Sequence, residues 1–97
     1  MKKEKLYVII RTYSAGCFAG YLKSEKGQEV VLTQARRLWK WSGAASLSQL
    51  AVDGTTKPSG CKFPVATDEH KLYQAIERIT CTEAARKSIE SVPVWKV

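Results

Sequence analysis

The chain has 97 residues, with 16 Lys and Arg against 9 Asp and Glu, a formal net charge of +7 and an apolar fraction of 44%. That length fits one domain over residues 1–97 and leaves no room for a second, and the apolar content argues against wholesale disorder. The positive field favours phosphates, nucleic acid or acidic partners, and it is uneven: residues 1–62 hold eleven basic and four acidic side chains, residues 63–97 five of each.

Residues 1–5 read as a basic and flexible leader. The apolar run behind it, Leu6-Tyr7-Val8-Ile9-Ile10, is too short for a signal-peptide core or a membrane span. Residues 5–12 are rich in β-branched and aromatic side chains and predict a strand. Ser14-Ala15-Gly16 is a turn, from which Cys17-Phe18-Ala19-Gly20-Tyr21-Leu22 returns as the second arm of a hairpin. Lys26-Gly27 makes another turn before Glu29-Val30-Val31-Leu32-Thr33, and residues 36–41 continue in strand-like fashion. Ser46-Leu47-Ser48-Gln49 has the capping-box pattern, with Leu47, Leu50 and Ala51 on one face and Gly54 at the left-handed C-terminal position. A short helix therefore starts near Ser46. Residues 61–65 predict a short edge strand, because Pro64 has no N–H to donate.

Residues 70–79 fit two patterns. Leu72, Ala75, Ile76 and Ile79 make a helical stripe, while Tyr73, Ala75, Glu77 and Ile79 make a strand face. Thr80-Cys81-Thr82-Glu83 is a second capping box, and Ala85, Ile89 and Val92 follow at helical spacing until Pro93. The tail Val92-Pro93-Val94-Trp95 is extended and apolar, which requires docking on the body or on another subunit. The fold class is α+β: a small antiparallel sheet of about five to six strands with two short helices, starting near Ser46 and Thr82.

Chemistry is thinly represented. His70 is the only histidine and sits in the charged run Asp68-Glu69-His70-Lys71, where it reads as a solvated side chain. Cys17, Cys61 and Cys81 are odd in number and widely spaced, which fits three reduced thiols better than a disulfide framework or a zinc site. No phosphate-loop or dinucleotide fingerprint is present. The reading is a protein that is not an enzyme, with no cofactor and no metal.

The informative stretch is Arg36-Arg37-Leu38-Trp39-Lys40-Trp41, followed by Ser42-Gly43-Ala44-Ala45-Ser46. Guanidinium groups bind phosphate in two-pronged fashion, and indoles stack on bases. A helix N-terminus with the Ser46 and Ser48 hydroxyls adds an anion site. Two readings stand side by side: Trp39 and Trp41 are core with Arg36 and Arg37 outside, or the set forms a nucleotide pocket. Arg11 and Tyr13, flanking the Ser14-Ala15-Gly16 tip, are further candidates, and the polar loop Thr55-Thr56-Lys57-Pro58 is a weaker one.

Taken together, Tyr7-Val8-Ile9-Ile10-Arg11-Thr12-Tyr13-Ser14-Ala15-Gly16, Ala35-Arg36-Arg37-x-Trp39-x-Trp41, Gly43-Ala44-Ala45-Ser46-Leu47-Ser48-Gln49-Leu50-Ala51, Cys61-Lys62-Phe63-Pro64, Cys81-Thr82-Glu83-Ala84-Ala85 and Val92-Pro93-Val94-Trp95 resemble a family of small, uncharacterised bacteriophage proteins. The resemblance implies a strand at 70–79. It also implies a small protein that counters host immunity in the host cytoplasm by sequestering a nucleotide-derived signal, with a nucleotide-type ligand and a homo-oligomer as partners and no membrane. Two alternatives are a nucleic-acid-binding accessory protein and an inhibitor of a host protein surface. Association is expected through the Leu47/Leu50/Ala51 face or the Trp95 tail.

Overall fold

Four consecutive side chains of the first strand, Tyr7, Val8, Ile9 and Ile10, are buried, which requires cover on both faces of that strand. The computed structural model describes residues 6–96; the leader expected at 1–5 lies outside them. Strand β1 (Tyr7–Thr12) pairs antiparallel with β2 (Cys17–Lys26) on one side and β5 (Ala75–Thr80) on the other. Strand β3 (Glu29–Arg37) joins β2, and β4 (Thr67–Leu72) joins β3, giving the order β4-β3-β2-β1-β5. Alternation along β1 sends Val8 and Ile10 to one side and Tyr7 and Ile9 to the other.

The connection between β4 and β5 decides the shape. These strands are the two outer edges of the sheet, yet only Tyr73 and Gln74 separate them. Two residues cannot span a flat five-stranded sheet, whose edges lie roughly 19 Å apart at the usual strand spacing. The sheet therefore curls until its edges meet. Ala75 N donates to Gln28 O at 2.9 Å, and Arg78 on β5 pairs with Glu25 on β2 at 3.1 Å. Register shifts between Ala19 and Tyr21 and between Leu22 and Ser24 mark the bends in β2. At the first bend a Cβ on Gly20 would stand 3.0 Å from Thr33 O, so glycine allows the close approach of β3.

Curling makes two cores. Inside the curl lie Val8, Ile10, Phe18, Val30, Leu32, Ala35 and Leu72. On the outer side of β1 and β2, Tyr7, Ile9, Ala19, Leu38 and Phe63 pack under helices α1 (Leu47–Asp53) and α2 (Glu83–Ser91), which contribute Leu50, Ala51 and Ile89. Each fully buried Leu or Ile is worth about 1.5–3 kcal/mol. The face formed by Leu47, Leu50 and Ala51 is turned onto this core, so it does not serve association.

Helix starts follow the expected chemistry with altered partners. Ser46 Oγ accepts from Gln49 N at 3.2 Å, but Gln49 Oε1 reaches back to Ala45 N at 2.7 Å rather than to Ser46. Gly54 ends α1 at φ +76°. The second helix starts where expected, capped by Thr82, whose Oγ1 accepts from Ala85 N at 3.1 Å, although Thr82 and not the Thr80 of the capping-box pattern makes the cap. Residues 70–79 are not one element but the end of β4, a turn with Gln74 at φ +58°, and most of β5. The extended stretch at 36–41 stops being a strand at Arg37. The edge strand expected at 61–65 reduces to two single bridges, Lys40 to Lys62 and Phe63 to Val94.

Candidate functional site

Arg36 and Arg37 are neighbours on β3, and strand alternation sends them to opposite sides. Arg36 turns inward and is 4% exposed. Its five N–H groups meet backbone carbonyls: Nε donates to Pro64 O, Nη1 to Ile89 O and Val92 O at 2.9 and 2.7 Å, and Nη2 to Phe63 O and Pro93 O at 2.6 and 3.4 Å. A guanidinium has five N–H donors, so none remains for phosphate. Ile89 O and Val92 O belong to the end of α2, where a cation also complements the helix dipole. Burial holds the Arg36 pKa below its ordinary value. This corrects the expectation of a ligand arginine: Arg36 ties the loop at 63–64 and the chain leaving α2 to the sheet.

Arg37 faces the other way. Its guanidinium lies 4.4 Å from the Phe18 ring centroid and donates to Ala15 O in the β1–β2 turn. It is half-buried and has no carboxylate partner among the described residues. The tryptophans divide. Trp41 packs with Ala44 and Leu47 against the outer core, whereas Trp39 is 64% exposed. The core reading thus fits Trp41 but not Trp39, and its placing of Arg36 outside is corrected by the burial of that side chain.

Three extended segments run side by side beyond β3. Trp39 N donates to Lys62 O at 3.1 Å, Lys62 N to Lys40 O at 2.7 Å, and Trp95 N to Phe63 O at 3.0 Å. Lys40 and Lys62 thus face each other across a bridge, and Lys62 Nζ stands 5.3 Å from the Trp95 ring centroid. The tail expected to need a docking place has one on the chain's own body. From residue 30 to residue 66 the chain carries five cations and a single carboxylate, Asp53. None of Lys40, Lys57 and Lys62 forms an ion pair among the described residues, while Arg11, Lys23, Lys71, Arg78 and Arg86 all do.

The loop next to this face is built stiffly. Thr56 N donates to Gly43 O at 3.4 Å, Lys57 N to Thr55 Oγ1 at 3.0 Å, and Thr55 Oγ1 to Ser42 O. Gly43 adopts φ +81°, and a Cβ there would stand 2.6 Å from Lys57 N. Substitution at Gly43 thus meets both a strained backbone and an immovable neighbour.

The remaining candidates are placed elsewhere or already engaged. Ser46 is spent as a cap, Ser48 is exposed on the first turn, and α1 has only seven residues. Arg11 pairs with Glu77 at 2.8 Å. Tyr13 is 76% exposed and lines a cleft with Gln28, Gln74 and Ile76, none of them from the tryptophan segment. His70 is half-buried rather than solvated: its ring lies 4.8 Å from Phe18, with Nδ1 3.2 Å from Thr67 Oγ1. Among the described residues no three His, Cys, Asp or Glu side chains gather as a metal site, and no helix is long and apolar enough to cross a membrane. Cys17, Cys61 and Cys81 are free thiols, and burial pushes Cys81 up to about 12.

Sequence reasoning missed the meeting of Lys62 with Lys40 and with the Trp95 ring. The available signal was that Trp95 is the third tryptophan in a tail that had to dock. Its partner, 33 positions earlier, is set by tertiary packing.

Residues 5–89 match the family described as a domain of unknown function, DUF6948, and the chain belongs to that family. No curated protein and no solved structure matches the chain significantly.

Proposed function

We propose that this member of the DUF6948 family is a phage-encoded, non-catalytic binding protein that captures a nucleotide-derived immune signal in the host cytoplasm. The observation that carries the reading is the Lys40–Lys62 bridge with the Lys62 ammonium on the Trp95 ring: two lysines without a carboxylate partner among the described residues beside a partly exposed indole, with the exposed Trp39 next to Lys40 in the chain. A base stacks on an indole, and an ammonium group neutralises the phosphate beside it. Lys62 is poised for an exchange. Its ammonium now occupies the Trp95 ring; an arriving base takes that place, and the ammonium moves to the phosphate. Sequestration needs no bond to break, only a surface set in advance. The loop locked by Gly43 and Thr55 provides that rigidity beside Lys40 and Trp41.

A second reading, single-stranded nucleic acid, has its own support in the 64% exposure of Trp39. An open indole suits a strand passing over it as well as a small ligand resting on it.

The test uses the purified chain with cyclic and linear nucleotides and with short single-stranded DNA and RNA. Binding is followed by thermal shift and by tryptophan fluorescence, and the ligand is recovered after heat denaturation. Quenched fluorescence and intact recovered nucleotide support capture. Altered nucleotide means catalysis. Oligonucleotide binding without nucleotide binding, with a log–log salt slope near −0.7 per phosphate, favours the second reading. No response to any of these probes overturns both.

A further inference from the structure

The surface where the sheet closes differs from the basic face in almost every respect. Tyr13, Tyr73 and Ile76 are 76%, 60% and 44% exposed there. They border two clefts, one of about 540 Å³ beside Tyr73 and one of about 190 Å³ beside Tyr13 and Ile76, and Gln28 and Gln74 line both. Neither glutamine side chain makes a hydrogen bond among the described residues; the only bonds at these positions are backbone ones, Gln28 O accepting from Ala75 N and Gln74 O from Tyr13 N.

We propose that this surface is where a second copy of the chain docks. Two observations select a second copy over a foreign partner. Projecting rings and empty clefts occur on the same patch, which is what a two-fold, self-complementary contact requires: each copy supplies both the ring and the cleft that receives the partner's ring. The charges around the patch are also neutralised within the chain. Glu29 holds Lys71 at 3.2 Å, Glu25 holds Arg78 at 3.1 Å, and Glu77 holds Arg11 at 2.8 Å, leaving Lys26 as the one cation in the lining without a partner among the described residues. Two chains of +7 each repel across most of their surfaces, and this is a region where they meet with few unpaired like charges. Exposed tyrosines supply the rigid contact area that dominates such interfaces, and unsatisfied amides supply hydrogen bonds across them.

The proposal uses residues that the nucleotide reading does not, so each stands or falls separately. The experiment is sedimentation equilibrium of the full chain over a wide concentration range, without nucleotide. The expected result is a mass of twice 10.8 kDa that shifts toward one chain on dilution. Tyr13→Ser and Tyr73→Ser should each raise the dissociation constant about tenfold, and the double variant should be monomeric. Both side chains are exposed, and unchanged thermal unfolding of the double variant held at monomeric dilution shows that it is folded. Trp39→Ser should leave the dimer intact. A chain that stays monomeric at its highest soluble concentration overturns the proposal, as does a dimer that survives in the double variant.

Discussion

The strand-built half of the molecule and the loop-built edge beyond β3 handle charge and burial by different chemistry. On the strands, the cations Arg11, Lys23, Lys71 and Arg78 each meet a glutamate, and the core inside the curl is built from Val8, Ile10, Phe18, Val30, Leu32, Ala35 and Leu72, with polar groups only at its Phe18 margin, where Arg37 and His70 pack. At the loop edge, Lys40, Lys57 and Lys62 have no carboxylate partner among the described residues, and the core beneath contains Arg36, the Tyr7 hydroxyl and the Cys61 thiol, with Cys17 and Cys81 packed against it. Exposed ion pairs add little stability, with typical values of about 0–1 kcal/mol, so pairing on the strands mainly cancels their field. Part of the uncancelled field, that of Lys40, Lys57 and Lys62, falls on the edge that also exposes Trp39 and Trp95, while Lys26 and Lys87 stand unpaired elsewhere among the described residues.

The contrast breaks most visibly at Arg36. Arg36→Met removes the donors of five backbone carbonyls and should cost about 3–5 kcal/mol, as losing one side of a buried polar network does. Arg37→Met, one residue away, should cost under about 1 kcal/mol, because Arg37 is only half-buried and makes one backbone contact. Urea denaturation of the two variants measures the difference, and equal costs would refute the division of roles. Gly43→Ala comes next, at about 2 kcal/mol or more, from positive φ together with contact with the Lys57 backbone.

Binding sharpens the same contrast at constant fold. Lys40→Gln and Lys62→Gln should each weaken nucleotide binding by about fivefold to tenfold, on the order of 1 kcal/mol, with thermal stability unchanged. Lys23→Gln and Lys71→Gln, on the strand half, should change affinity less than twofold. Titration of all four variants against one nucleotide, or against one oligonucleotide if that proves the ligand, checks the pattern.

Alkaline pH should strain the loop-side core first. Burial pushes the Cys81 thiol from 9.0 up to about 12 and raises Tyr7 above 10.0, with Glu90 adding to the Tyr7 shift. In the folded state both groups stay protonated where the unfolded chain has released its protons. Stability is therefore full below pH 9 and falls as pH rises from there toward 12. Denaturation midpoints between pH 8 and 11 should fall, and Cys81→Ala should flatten the decline above pH 9. The smallest effect is Tyr7→Phe. It removes a buried hydroxyl that has no partner among the described residues and should leave stability level or raise it by up to about 1 kcal/mol.

Much of the fold was legible because it is written in local pattern. The run from Tyr7 to Ile10, the Ser14-Ala15-Gly16 turn, the Ser46 cap, Gly54 and the stripe of Ala85, Ile89 and Val92 each depend on neighbours within a few residues. The site was legible in part. Trp39 and the basic character of residues 36–62 were visible, but residue type alone could not separate Arg36 from Arg37. Both are arginines on one strand, and only the covering of each strand face tells them apart.

The sequence by itself determined an α+β chain with an antiparallel sheet, two capped helices and a positive charge concentrated in its first two-thirds. Those properties follow from spacing, turn chemistry and composition. Tertiary structure alone decided that the sheet curls until β4 and β5 meet, that Arg36 is a buried tie, and that Lys62 lies between Lys40 and the Trp95 ring. The reason is distance along the chain. Lys40 and Lys62 are 22 positions apart and Phe63 and Val94 are 31 apart, and no local pattern encodes which distant segments will share a hydrogen bond.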